Sequence, residues 1–444
     1  MCADRLYHRP LGCGPQFELR KQRQQPDNPL MSRDAPVPKD VRMHGFSKRS
    51  EVDAVLEWID RHALRLGHTP VSLDEASGRI LAKQVIASID VPAFDRSAMD
   101  GYALHGAESS GASDYNPIAF AVLGQALPGQ PFDGSVLSAT AVRVMTGAAI
   151  PAGADAIVPA EYAQETGGQV EITLAVGPGK HIGRCGEDIR AGSPVLEEGR
   201  RLRPQDLGLL ASLGIAQALV VDEPRVRIIV TGNEVVDPGE SKGPYQIFDA
   251  NSAMLRGLVA RDGGVIEAHH KLGDDPARIR EALIAPGADV ILVSGGSSVG
   301  SEDHAPRLLA EVGELAIHGV AMRPSSPAGV GRIGDTPVFL LPGNPVSCLC
   351  AYDFFAGRAI RLRGGRPPDW PHRTRQGIVA RKIVSAVGRV DYCRVVFIDN
   401  EVEPLALSGA SILSSTTRAD GFVIVPSASE GYGPGAAVTV YLYE

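Results

Sequence analysis

Between residues 225 and 362 short runs rich in β-branched residues alternate with segments of helical spacing, and this rhythm restricts the fold more than any other feature of the chain. The runs are 226–230, 265–269, 289–293 and 338–341; the helical segments are 252–261, 277–283, 305–312 and 346–356. Runs rich in β-branched apolar residues suit buried strands, and strands separated by helices lie parallel, so a central open parallel α/β sheet is expected. In such a sheet ligands bind outside the carboxyl ends of the strands. The loops to search are therefore Thr231-Gly232-Asn233-Glu234, the stretch from Ser294 to Asp303, and Pro342-Gly343-Asn344-Pro345.

The flanking sequence has other rhythms. Residues 1–48 are rich in Pro, Arg, Gln and Asp without apolar periodicity, which predicts a disordered or poorly ordered leader. After Ser50 an apolar stripe of Val52, Val55, Leu56, Ile59, Ala63 and Leu66 marks a helix, with Asp53 in its first turn. Residues 91–221 hold short apolar runs cut by Pro and Gly turns, a β-rich pattern, yet 203–213 reads as helical, so two structural pieces interleave. The expected organisation is a leader (1–48), a discontinuous helical linker domain (49–90 with 184–222), an inserted β-rich domain (91–183), the α/β domain (223–366) and a small C-terminal β domain (367–444). A chain of 444 residues is long enough for such a multidomain α/β plus β architecture.

A net charge of −8 gathers no polyanion, so nucleic acid is excluded as the main partner and a phosphate-bearing ligand must be held by a local site. No run of about 18 apolar residues marks a membrane span, and no apolar h-region precedes a small-residue cleavage site, so the cytoplasm is the expected compartment. The six cysteines (Cys2, Cys13, Cys185, Cys348, Cys350, Cys393) form no CxxC pair, and Cys348 with Cys350 read as core thiols.

The stretch from Ser294 to Gly300 carries three glycines and three serines ahead of a helix. Backbone N–H groups and hydroxyls there can approach an anion; the plain alternative is a tight strand-to-helix turn that needs positive φ. It matches neither GxGxxG nor GxxxxGK[ST], which argues against a dinucleotide fold or a P-loop. Glu234, Asp274, Asp275 and Asp303 recur around these loops and would crowd negative charge beside an anion site. Two unit charges about 4 Å apart repel by roughly 4 kcal/mol at an effective dielectric near 20, a cost that bound magnesium bridging carboxylate and phosphate oxygens reverses.

Residues 92–103, PAFDRSAMDGYA, resemble the segment PxFDxSxMDGYA of the MoeA family, to which the E domain of gephyrin also belongs. RVMTGAAIP (143–151), GEDIRA (186–191), TGNE (231–234), SGGSSVGSED (294–303) and LPGNPVS (341–347) follow in the family's order, so the resemblance runs from about Ser50 to the C-terminus. It implies a homodimer of four-domain chains that binds molybdopterin-AMP, receives molybdate and releases AMP by magnesium-dependent pyrophosphate cleavage, the last step of molybdenum cofactor synthesis. Asp100, Thr146, Asp188, Glu234, Asp274 and Asp303 match family active-site positions, and Asp100, Glu234, Asp274 and Asp303 are the carboxylates that could hold magnesium. Ser294, Gly295, Gly296 and Ser298 would bind phosphate or pterin, Pro342, Gly343 and Asn344 would shape the third loop, and Arg389 with Arg394 resembles a basic element turned toward the site. The chain departs from the family at residues 322–331, MRPSSPAGVG, where many relatives carry KPGKP. Ser325 and Ser326 replace Gly and Lys there, while Arg323 keeps a cation. Ser297 also replaces a small apolar residue.

Two other readings stay open. One is a non-catalytic molybdopterin-binding carrier or scaffold. The other is the related adenylyltransferase, a shorter enzyme in which MDGYA, MTGAA and a terminal β domain have no place. Molybdopterin adenylyltransferase and cofactor-accepting enzymes are the expected protein partners.

Overall fold

The computed structural model describes residues 49–296, 303–406 and 409–443, so the leader 1–48 and the residues between Gly296 and Asp303, Ser298 among them, lie outside the described residues. The α/β unit is built from β1 (Arg225–Thr231), α1 (Asn251–Asp262), β2 (Val265–Leu272), α2 (Pro276–Ile284), β3 (Val290–Ser294), α3 (Ala305–Val312), β4 (Glu314–His318), β5 (Gly329–Ile333), β6 (Thr336–Leu341) and α4 (Pro345–Ala351). Its sheet has the order β2-β1-β3-β6-β5-β4.

Successive residues of the central strands point to opposite faces, which is why their sequences are mainly apolar without alternation; Arg227 of β1 is the exception, buried and paired with Glu267 of β2 at 2.9 Å. Ile228, Leu292 and Phe339 pack into one core with Leu255 and Val259 of α1; Ile229, Val293 and Leu340 pack into the other with Ile279 of α2 and Leu308 of α3. α2 starts where Asp275 accepts a hydrogen bond from the Ala277 backbone N–H at 2.9 Å and Pro276 fixes the first turn.

The sheet is mixed, which corrects the expectation of a wholly parallel one. β2, β1, β3 and β6 are parallel, but β5 runs antiparallel to β6 and β4 antiparallel to β5. Glycine hides β5 in the sequence: a Cβ at Gly331 would collide with the Glu314 carbonyl of β4, so the apolar pattern breaks where the strands approach most closely.

The helix Val52–His62 packs Val55, Trp58 and Ile59 into the same core as α1 and β1, and Asp60 takes both the Nε (2.7 Å) and an Nη (2.8 Å) of Arg358. His68–Ser72 pairs antiparallel with Gln217–Val221, and Val85–Ile86 with Pro194–Leu196, so stretches on either side of the β-rich insertion are joined by backbone hydrogen bonds. The insertion is a six-stranded sheet, from Ala156–Pro159 at one edge to Ala163–Thr166 at the other, with an apolar cluster on each face.

At the C-terminal end, Thr374–Val379, Val390–Ile398, Glu401–Ala406, Gly421–Val425 and Ala437–Leu442 form a sheet that closes through the pairing of 390–398 with 421–425. This sheet is not separate from the α/β unit. Met322–Arg323 pairs parallel with Val390 and Asp391, and Tyr392 and Phe422, stacked at 4.1 Å, join the core that contains α1 and β1.

Candidate functional site

A cavity of about 740 Å³ opens at the carboxyl ends of β1, β3 and β6. The three loops singled out in the sequence meet there: Glu234 from the first, Ser294, Gly295, Gly296 and Asp303 from the second, and Pro342, Gly343 and Asn344 from the third. Asp274, from the β2–α2 turn, completes the acidic wall. Its Oδ2 accepts from the Asn233 N–H at 3.1 Å while its own N–H donates to Asn233 Oδ1 at 3.3 Å, which locks the first loop to the turn. The neighbouring Asp275 is a helix cap, so the two adjacent carboxylates have separate jobs.

The glycines of the second loop are there because β1 is close. Gly295 has φ +91°, and a Cβ on it would run into the Thr231 carbonyl; a Cβ on Gly296, φ +53°, would lie 2.9 Å from Thr231 Oγ1. The Gly295 N–H donates to the Leu341 carbonyl at 3.2 Å, so the same turn is tied to the end of β6. Ser294 differs from the sequence expectation of a direct ligand donor: its side chain is fully buried, and its Oγ accepts from Asn251 Nδ2 at 2.9 Å.

Asn251 was not visible as a site residue in the sequence. From the first turn of α1 it also donates to the Gly343 carbonyl at 2.8 Å, tying the second loop to the third. Its Oδ1 and the Thr231 hydroxyl, both in the cavity wall, are buried and have no hydrogen-bond partner among the described residues. Ser411 of the C-terminal region was missed as well; its Oγ donates to Asn344 Oδ1 at 2.8 Å.

The arginines line a second cavity of about 790 Å³ that shares Pro327, Pro342 and Asn344 with the first. Arg323 and Arg389 flank Asp391, which is 0% exposed, and Arg394 lines the same cavity. Asp391 pairs with Arg323, with Arg389 Nε at 3.1 Å and with the Ser385 hydroxyl at 2.7 Å. Guanidinium groups such as those of Arg323, Arg389 and Arg394 in this lining are of the kind that binds an oxyanion through forked donors. Ser325, at the family glycine position, adopts φ +85° and donates its hydroxyl to the Ser347 carbonyl at 2.6 Å, so the left-handed backbone is kept without glycine.

Asp100, Thr146 and Asp188 do not reach either cavity within the chain. Asp100 Oδ1 accepts from the backbone N–H and the hydroxyl of Thr146, both at 2.7 Å, and these two bonds hold its carboxyl below the usual range. Asp188 donates its N–H to the Val91 carbonyl at 3.1 Å, beside the inserted domain. The expected magnesium set of Asp100, Glu234, Asp274 and Asp303 is therefore not assembled in one chain. Among the described residues no three His, Cys, Asp or Glu side chains lie close enough to share a metal.

Cys348 and Cys350 are buried core thiols; burial pushes Cys348 up to about 12 and raises Cys350 further. They are protonated and inert at neutral pH.

Residues 50–214 match the model of the MoeA N-terminal region (domains I and II), 227–361 that of a "Probable molybdopterin binding domain", and 376–443 that of the MoeA C-terminal region (domain IV). Molybdopterin molybdenumtransferase 2 of Mycobacterium tuberculosis is 38% identical over 335 residues, 73% of this chain and 82% of that one. The chain belongs to the MoeA family. The Haemophilus influenzae molybdopterin molybdenumtransferase is 32% identical over 83% of this chain and 92% of its own length. The MoeA crystal structure from Pyrococcus horikoshii superposes with a TM-score of 0.76 at 30% identity, covering 89% of this chain and 100% of that one. The MoeA architecture thus accounts for the multidomain α/β fold. The N-terminal and C-terminal matches set the chain apart from the short adenylyltransferase.

Proposed function

We propose that this chain is a molybdopterin molybdenumtransferase, which inserts molybdate into adenylylated molybdopterin and releases AMP. One observation carries the reading: on a MoeA chain, Glu234, Asp274 and Asp303 share a cavity with the glycine turn at Gly295 and Gly296. Acids beside a glycine turn fit a divalent cation, which Glu234, Asp274 or Asp303 would hold and which would offset their charge against a phosphate. Magnesium is commonly held by one or two carboxylates plus substrate phosphates, so a site without a three-ligand protein cluster fits it. The orphaned Thr231 hydroxyl and Asn251 Oδ1 supply further polar atoms in the wall for the ion's waters or the phosphate. When bound, the ion neutralises charge that builds on the pyrophosphate as AMP leaves.

In this reading the chain's own groups position the substrate. The side-chain-free turn at Gly295 and Gly296 lets the phosphates approach its backbone, Asn251 and Asn344 hold the loops that frame it, and Arg323, Arg389 and Arg394 draw the molybdate oxyanion into the adjoining cavity. A homodimer gives Asp100, Thr146 and Asp188 a role, by presenting them to the cavity of the second chain. No helix among the described residues is long and apolar enough to cross a membrane, and we place the enzyme in the cytoplasm, between the adenylyltransferase and the enzymes that accept the cofactor.

The test is release of AMP from molybdopterin-AMP by purified protein, with and without molybdate and magnesium. Release that needs both supports the reading. Tight binding of molybdopterin-AMP without AMP release would replace it with a carrier.

A further inference from the structure

Among the described residues of the acidic cavity's wall there is one aromatic side chain, Phe248. It sits on a short parallel pair, Val235–Val236 with Ile247–Phe248, that rises beside Glu234. Phe248 is 44% exposed and Ile247 56%, and neither belongs to an apolar cluster of the protein, so core packing does not account for them. The backbone around the ring is nonetheless fixed. The Ile247 N–H donates to the Glu234 carbonyl and the Asp249 N–H to the Val236 carbonyl, both at 2.8 Å, and Asp249 Oδ1 accepts from the Ser252 N–H at 2.9 Å in the first turn of α1. Lys242 Nζ lies 6.0 Å from the ring centroid. A half-exposed aromatic ring on a tethered backbone, at the edge of a cavity lined by both acids and apolar side chains, is suited to the face of a flat ligand.

We propose that Phe248 is the stacking platform for the planar heteroaromatic ring of the substrate, and so a specificity-determining residue of the cavity. The inference rests on the transferase reading above and adds what that reading lacks, a group that recognises the ring rather than the phosphates. Molybdopterin-AMP carries two such rings, the pterin and the adenine, and both offer the same π face. Stacking is tolerant of ring identity, so the position of Phe248 rather than its chemistry selects between them.

The experiment uses the full chain with Phe248→Ala and Phe248→Trp, titrated separately with AMP, with molybdopterin and with inorganic pyrophosphate. Because Phe248 is exposed and outside the core, the alanine variant is expected to fold. It should lose about tenfold or more in affinity for one of the two ring-bearing ligands while binding pyrophosphate as the wild type does. The tryptophan variant should keep that affinity, and its added fluorescence should be quenched by the same ligand. Loss for AMP assigns the platform to adenine; loss for molybdopterin assigns it to the pterin. Wild-type affinity of the alanine variant for both, or an equal loss for pyrophosphate, overturns the proposal. Failure of the wild type to bind AMP or molybdopterin would instead bring down the transferase reading beneath it.

Discussion

Gly295→Ala separates the two explanations for the glycine turn, because the structure assigns a size to the steric one. At φ +91° an added Cβ costs roughly 1–2 kcal/mol of backbone strain. The same Cβ meets the Thr231 carbonyl and stands 3.0 Å from Thr231 Oγ1, an overpacking that typically costs about 1–3 kcal/mol. The sum, about 2–5 kcal/mol, is a large part of the stability of an ordinary domain. Gly343→Ala is the matched control. Among the described residues its Cβ would have only Gly295 Cα at 3.5 Å and Gly295 N at 4.0 Å nearby, so its stability should stay within about 0.5 kcal/mol of wild type. That methyl group would nevertheless enter the cavity wall and raise KM for molybdopterin-AMP. Urea denaturation of both variants, followed by a probe of the α/β unit, measures the difference. Equal stabilities for the two would refute the argument that Thr231 dictates glycine at 295.

Glu234→Gln and Asp303→Asn each remove a charge and little volume, and should lower molybdate-dependent AMP release about 10- to 100-fold or more with an unchanged unfolding midpoint; unchanged rates would take these acids out of the mechanism. At Ser325, alanine keeps the left-handed backbone but loses the hydroxyl's bond to the Ser347 carbonyl, and should cost about 1 kcal/mol. Glycine relieves the strain while losing the bond, and should fall within about 1 kcal/mol of wild type; if glycine were the worse variant in denaturation, the strain argument would fail. Burial, reinforced by Arg256, holds the His269 imidazole below its ordinary value against the opposing pull of Asp249 and Asp237, with His270 lowering it further. The unfolded chain then binds the proton more readily, so stability is full above about pH 6.5 and declines as pH falls through the lowered folded value. His269→Gln should flatten that acid-side decline in thermal melts taken across the range, and an unaltered slope would contradict it.

Much of the α/β unit was legible because β1, β3 and β6 are buried on both faces and therefore mainly apolar, the exception being Arg227 of β1, which is buried against Glu267. β4 and β5 were not, since the approach of Glu314 to Gly331 replaces an apolar side chain with none. The site divides in a similar way. Loops at strand ends announce themselves by glycine and acid content, and Glu234, Asp274 and Asp303 do meet in one cavity. Asn251 could not be read, because its importance comes from bridging Ser294 and Gly343, which are distant from it in sequence. Asp391 was passed over between Arg389 and Arg394, although a lone acid in a basic motif at a buried strand is the signal that could have found it. The Asp100–Thr146 pair was identified from its motifs, yet only the fold reveals that the two residues bond each other away from the other acids.

A crystal structure of the full chain with molybdopterin-AMP and magnesium is the most direct test. The account predicts phosphate oxygens at the Gly295–Gly296 turn, with the ion between them and carboxylates drawn from Glu234, Asp274 and Asp303. A nucleotide seated elsewhere, with that turn and those acids empty, would contradict it.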